Sequence, residues 1–311
     1  MVGGNRAGRK SRARTQRLVS RIPSAREIYF TPLHHDAIQE ALEKAFFASI
    51  RLRNGTYKYT HAGRLDDVNK ALLPLLPPIR PLEVMDVAVS SGISTLEWQQ
   101  QLEQEGIRHR MVAGDLLVNA FLVSRGQRLH ALVDASGYPL QYEIYGRVVP
   151  VPTGVRLRAL YFAPLRLLRR ILVSQFSRLS GECIRSTVRW AEGKRGVVCR
   201  HVALVSPRLQ RSACLEVIED DILADEWSGR RCHVLRAANI LNRAYFDEPT
   251  LRRALHCLGS RLLPGGFLVV CRTYDSGVNG GTVFRLEADQ TLAIVARIGG
   301  GSEVENLVIG L

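Results

Sequence analysis

From Leu82 onward the chain alternates short apolar runs with segments of helical periodicity, and this alternation restricts the fold more than any other feature. Leu82–Val89 reads as a buried strand that closes on Asp86-Val87-Ala88-Val89-Ser90-Ser91-Gly92, and Thr95–Glu105 reads as the helix after it. Met111–Gly114 reads as the next strand. Val202–Ser206, Leu215–Glu219 and His233–Ala237 follow later, then a helix over Pro249–Leu262 and a strand over Gly266–Arg272 after the turn Pro264-Gly265-Gly266. Strands separated by helices pair in parallel and need helices on both faces, so an α/β fold with a mainly parallel sheet is expected. Thr282–Leu286 and Leu292–Ile298, joined by a short polar turn, predict an antiparallel C-terminal hairpin.

Between Asp115 and Val202 the alternation breaks for too long to be one crossover helix, which predicts an inserted subdomain at about residues 120–200. Leu129–Asp134 and Leu140–Ile144 flank Ser136-Gly137-Tyr138-Pro139, a hairpin signal. Residues 155–176 mix aliphatic and aromatic residues with Arg156, Arg158, Arg166, Arg169 and Arg170. Five arginines exclude a comfortable membrane span, and the expectation is a helix packed by its apolar side with a solvated basic face. Upstream, Pro32–Ala48 and Leu65–Leu76 read as helices, the second ended by Pro74, Pro77 and Pro78. The expected organisation is a basic disordered tail over 1–26, a helical segment over 27–78, and the α/β domain with its insertion over 79–311.

The net charge of +14, with 43 Lys and Arg against 29 Asp and Glu, favours an anionic partner, a membrane surface or nucleic acid, met through the tail and 155–176. The tail lacks the apolar run of a secretory signal, which predicts a cytoplasmic protein, peripheral to a membrane at most. Six cysteines, at 183, 199, 214, 232, 257 and 271, lack any zinc-ligand spacing, so no metal is expected. Cys232 and Cys271 fall in apolar runs where cysteine acts as a small hydrophobe.

Small residues at 88, 90 and 92 let backbone approach a ligand at the carboxyl end of a strand. Asp115 ends the following strand, where folds of this kind place an acid on ribose hydroxyls. Within Glu219-Asp220-Asp221, which follows the strand 215–219, Asp221 is the candidate to meet an adenine amino group. His233, inside a strand, and His34 and His35, at a helix start, read as structural or capping residues.

These residues resemble, in order, the motifs of class I S-adenosylmethionine-dependent methyltransferases. The run Asp86–Gly92 is similar to their D-x-G-x-G-x-G loop, with Ala88 and Ser90 standing where the family has glycine. Asp115 and Asp221 resemble their ribose and adenine acids. Val234-Leu-Arg-Ala-Ala-Asn239, followed by Tyr245-Phe246, resembles the fourth motif in the form seen in chemotaxis-receptor methyltransferases, and Leu262–Val270 resembles the L-x-P-G-G-x-L element. The basic docking domain of the chemotaxis enzymes is not visible, so receptor glutamate is not the expected acceptor.

The resemblance implies a Rossmann-like sheet and S-adenosyl-L-methionine as cofactor, bound by Asp86, Ala88, Ser90, Ser91, Gly92, Asp115, Asp221 and Asn239. Asn239 and Tyr245 become the catalytic candidates, with methyl transfer to a small molecule or a protein. Two alternatives stay open: an inactive binding module on the same fold, suggested by Ala88 and Ser90, and a nucleic-acid methyltransferase, suggested by the charge. A nicotinamide dehydrogenase is disfavoured by the missing G-x-G-x-x-G turn.

Overall fold

A computed structural model of the chain describes residues 21–32, 35–149, 151, 163–186, 189–224 and 227–308. Most of the basic tail, His34, and the first part of the 155–176 segment lie outside these residues. In chain order the elements are α1 (Ala25–Phe30), α2 (Asp36–Ser49), α3 (Asp66–Leu72), β1 (Leu82–Val87), α4 (Ile93–Gln104), β2 (His109–Asp115), β3 (Asn119–Arg125), β4 (Leu129–Asp134), β5 (Pro139–Ile144) and β6 (Arg147–Val149). There follow α5 (Ala163–Val173), α6 (Phe176–Arg185), β7 (Trp190–Glu192), β8 (Val197–Ala203), β9 (Leu215–Glu219), β10 (Cys232–Ala238), α7 (Glu248–Ser260), β11 (Leu262–Thr273), β12 (Asn279–Leu286), β13 (Leu292–Ile298) and α8 (Glu305–Val308). They divide into two compact units: Thr60–Val118 with Arg208–Leu311, and the residues up to Tyr59 with Asn119–Pro207.

The first of these is the expected α/β unit. Its seven-stranded sheet runs β9-β2-β1-β10-β11-β12-β13, parallel from β9 through β11 and antiparallel beyond. Counting only the parallel strands in sequence, the order is 3-2-1-4-5, the doubly wound Rossmann-like arrangement. Side chains alternate across the strands, so each face finds its own core. Val84, Met111, Val234 and Val269 pack with Val68 and Leu72 of α3 and with Trp98 and Leu102 of α4. Met85, Val87, Leu235, Ala237 and Leu268 pack against Leu251, Leu255 and Leu258 of α7 and Leu307 of α8. α7 starts where Asp247 accepts from the amide of Thr250 and Pro249 occupies the first turn, a favoured cap.

The insertion is a second sheet, β6-β5-β4-β3-β8-β7, antiparallel throughout. Here the structure corrects one expectation. Val202–Ser206, expected as a strand of the parallel sheet, instead belongs in part to β8, which pairs antiparallel with β3. Its apolar run carries no mark of direction, and its partners are β3, far back in the sequence, and the short β7. The expected β4–β5 hairpin is present, its turn held by Asp134 Oδ1 accepting from the amides of Ser136 and Tyr138, with Gly137 left-handed. Phe121, Val123, Ala131, Val133 and Cys199 form the apolar face of this sheet, and Leu168, Leu172, Phe176 and Leu179 from α5 and α6 cover it. Arg166, Arg169 and Arg170 face solvent, so α5 packs by its apolar side as expected.

On the opposite face the N-terminal segment is strapped to β5: Gln141 accepts from the amide of Ala25 and donates to the carbonyl of Pro23. α1 begins at Ser24, whose hydroxyl accepts from the amide of Glu27.

Candidate active site at the carboxyl edge of the parallel sheet

In a doubly wound sheet the crevice forms where the chain reverses its direction of strand addition, here between β1 and β10, outside their carboxyl ends. The structure brings the candidate residues to this edge. Asp86 and the loop 88–92 close β1; Asp115 ends β2; Asp221 follows β9; Asn239 follows β10.

The loop between β1 and α4 places Ala88 (φ 56°), Ser90 (φ 57°) and Gly92 (φ 77°) in the left-handed region. This alternation is what a G-x-G-x-G backbone requires, yet only Gly92 is glycine. Two left-handed non-glycine residues cost about 1–2 kcal/mol each, a strain that the surrounding contacts sustain. Those contacts are specific. The amide of Val89 donates to the carbonyl of Gly114, and the amide of Ser90 donates to Asp115 Oδ2 at 2.7 Å. Asp115 Oδ1 accepts from the amide of Leu117. Asp115 thus ties the loop after β1 to the end of β2.

Asp86 is buried and committed. Arg236 Nε donates to its Oδ1 at 3.0 Å, Arg236 Nη2 to its Oδ2 at 2.6 Å, and Thr95 Oγ1 to Oδ2 at 2.7 Å. Arg236, wholly buried, also donates to Asn69 Oδ1 and to the carbonyl of Ser94, and its guanidinium lies 4.3 Å from the Trp98 ring centroid. This geometry makes Asp86 an anchor within the fold, clamping the first turn of α4 to β10. Breaking a buried pair this completely bonded costs about 3–5 kcal/mol, whatever its net worth against an apolar pair.

Asn239 (φ 61°) closes β10, its amide donating to the carbonyl of Cys271 and its Oδ1 accepting from the amide of Thr273. That fixes the carboxamide and leaves Nδ2 buried and without a hydrogen-bond partner. Ser91, on the loop, is 1% exposed and its Oγ is likewise unpartnered. Both atoms are buried and without a partner in the chain at the carboxyl edge of the sheet.

The acidic cluster after β9 separates by role. Asp220 is buried against Arg261 Nη1 at 2.7 Å, whereas Asp221 is exposed and its Oδ1 accepts from the amide of Leu223. Tyr245, 59% exposed, lies outside the core, its amide bonded to the carbonyl of Asn242. His233 accepts through Nδ1 from the amide of Glu83, a structural role. Burial pushes the thiols of Cys232 and Cys271 up to about 12, so both stay protonated packing groups. Among the described residues no cluster of His, Cys, Asp and Glu is arranged for a metal ion, and no helix is long and apolar enough to cross a membrane. Sequence reasoning missed Asn69, Ser94 and Thr95, and met Arg236 only as one letter of the fourth motif. Each is an ordinary helix or strand residue until the register is known.

No protein-family model and no curated protein matches the sequence. Among solved structures the chain is similar to the N-methyltransferase NodS from Bradyrhizobium japonicum in complex with S-adenosyl-L-homocysteine (13% identity over 69% of this chain and 65% of that one, TM-score 0.31). It is also similar to an O-methyltransferase family protein from Burkholderia thailandensis (12%, 77% and 42%, TM-score 0.29) and to the cyclase SpnF (10%, 68% and 47%, TM-score 0.30). The chain spans less than two thirds of the length of each. Likeness of this degree bears on neither activity nor substrate; the fold stands on its own strand order, that of a Rossmann-like α/β sheet.

Proposed function

We propose that this chain binds S-adenosylmethionine at the carboxyl edge of the parallel sheet and transfers the methyl group to an acceptor, a small molecule or a protein. The observation that carries the reading is the loop after β1, with left-handed residues at 88, 90 and 92 and the amide of Ser90 held by Asp115. The unpartnered Ser91 Oγ and Asn239 Nδ2 fit a cofactor with polar ends, and Ala88 and Ser90 carry the smallest side chains after glycine.

When bound, the cofactor would supply a methyl group on a sulfonium sulfur, which a lone pair on the acceptor would take in line as the carbon–sulfur bond breaks and the thioether leaves. The chain's work is positioning. In this reading Asp115 would accept from ribose hydroxyls, Asp221 would meet the adenine, and Ser91 and Asn239 would hold the amino-acid end, while Asp86 keeps the loop and α4 in register from beneath. Tyr245, exposed beyond β10, would line the acceptor pocket in this reading.

Calorimetric titration of the full chain with S-adenosylmethionine and S-adenosylhomocysteine tests this directly. Saturable heat with both is expected, and Asp115→Asn weakens binding about tenfold or more, the loss of a charge-assisted hydrogen bond. No heat with either, together with unchanged amide exchange at residues 88–92, would sink the reading. The strain at Ala88 and Ser90 favours one second reading, a module that binds the cofactor without using it; binding with no methyl loss in the presence of cell extract is its signature.

A further inference from the structure

The unit that contains the antiparallel sheet holds a cavity of about 720 Å³, well within the range of small-molecule sites. It lies between the polar face of the sheet and the strapped N-terminal segment. Its wall includes His130 on β4 and Glu143 on β5, which face each other across the strands. Both are more than nine-tenths buried, at 3% and 4% exposed. Each leaves one polar atom without a hydrogen-bond partner, His130 Nε2 and Glu143 Oε2. Their other atoms are fixed: His130 Nδ1 is 2.8 Å from Ser124 Oγ, and Glu143 Oε1 accepts from Arg26 Nη2 at 2.9 Å.

A buried carboxylate oxygen and a buried imidazole nitrogen left unpaired cost about 1–3 kcal/mol each. An apolar pair would line the same strands without that cost. A single water fills about 30 Å³, a small fraction of this volume. The mouth carries the opposite character: exposed Arg21 and Arg200 with half-buried Arg26, against Glu27, and the Arg200 guanidinium 5.3 Å from the Phe30 ring centroid. Burial lowers the His130 pKa, so the ring is neutral and presents a single donor or acceptor at Nε2.

We propose that this cavity is a second ligand site, in which Glu143 Oε2 and His130 Nε2 bind the hydroxyl or amine end of a small molecule whose anionic group is met by Arg200 at the mouth. It is independent of the cofactor reading and stands or falls without it.

The test uses the full chain labelled with ¹⁵N-histidine, the His130 ring signals assigned by their loss in His130→Gln. Glycerol 3-phosphate and glycerate are titrated beside glycerol and inorganic phosphate, which carry only one half of the recognised chemistry. The expected result is a saturable shift with one or both of the first pair, and at least about tenfold weaker effects from the second pair; the stronger of glycerol 3-phosphate and glycerate identifies the anion. Glu143→Gln weakens the response about tenfold. Arg200→Gln, a change at an exposed side chain, weakens the anionic probes and leaves glycerol unaffected, and it carries the test if the Glu143 variant does not fold. Unmoved His130 signals with all four probes, or shifts with glycerol 3-phosphate and glycerate that are the same in the wild type and Arg200→Gln, overturn the proposal.

Discussion

Ala88 and Ser90 adopt backbone angles that favour glycine, and the magnitudes decide what that means. Left-handed strain costs about 1–2 kcal/mol per residue, while glycine's extra unfolded-state freedom costs about 0.5–1 kcal/mol. Relief exceeds entropy, so Ala88→Gly with Ser90→Gly should stabilise the chain by about 1 kcal/mol in total, read as a higher urea midpoint at unchanged slope. A lower midpoint would mean the loop is not left-handed at these positions. At this scale the sequence is informative wherever chemistry is local: the acid at the end of β1, the small residues after it, and Asp115 all occupy the edge expected for them. It is silent on the partner of Asp86. Arg236 lies 150 residues away, and nothing but the register of β1 on β10 brings the two together.

Among the elements, β11 shows how a turn motif can be absorbed into a strand. Pro264-Gly265-Gly266 reads as a turn before the strand, yet β11 runs from Leu262 to Thr273 and the triplet forms an irregularity in its pairing with β10. Gly266 sits where a Cβ would come within 2.8 Å of the Leu263 carbonyl oxygen and 3.1 Å of the His233 carbonyl oxygen. Backbone cannot yield as a side chain can, so Gly266→Ala should lower stability by about 1–3 kcal/mol, measured by thermal unfolding. The antiparallel hairpin beyond it is legible because β12 and β13 are two apolar runs around a short polar connection. β8 escapes the pattern because its seven residues carry strand character without stating a partner.

For the molecule as a whole, pH dependence should concentrate in the unit with the antiparallel sheet. Burial lowers the pKa of His130 below the ordinary 6.5, against the Gln127 carbonyl and Glu143 and with Arg26 and Arg200. It does the same to His201, assisted by Arg189. The unfolded chain takes up these protons first, so the stability they contribute is complete above about pH 6.5 and is lost as pH falls through the lower folded values. The urea midpoint should therefore drop between about pH 7 and pH 5, and His130→Gln with His201→Gln should flatten that drop. The division into units is the least legible property, since each unit is assembled from two separated stretches of chain.

That interleaving has a consequence for synthesis. β1 and β2 leave the ribosome well before β10, so the central strand of the parallel sheet waits with one side of its ladder open. Pro23 and Ala25 wait likewise for Gln141, and Tyr29, whose hydroxyl donates to the Val205 carbonyl, waits longer still. Neither unit can close on the ribosome until most of the chain has emerged, which makes the nascent protein a client for whatever shields open strand edges in the cell.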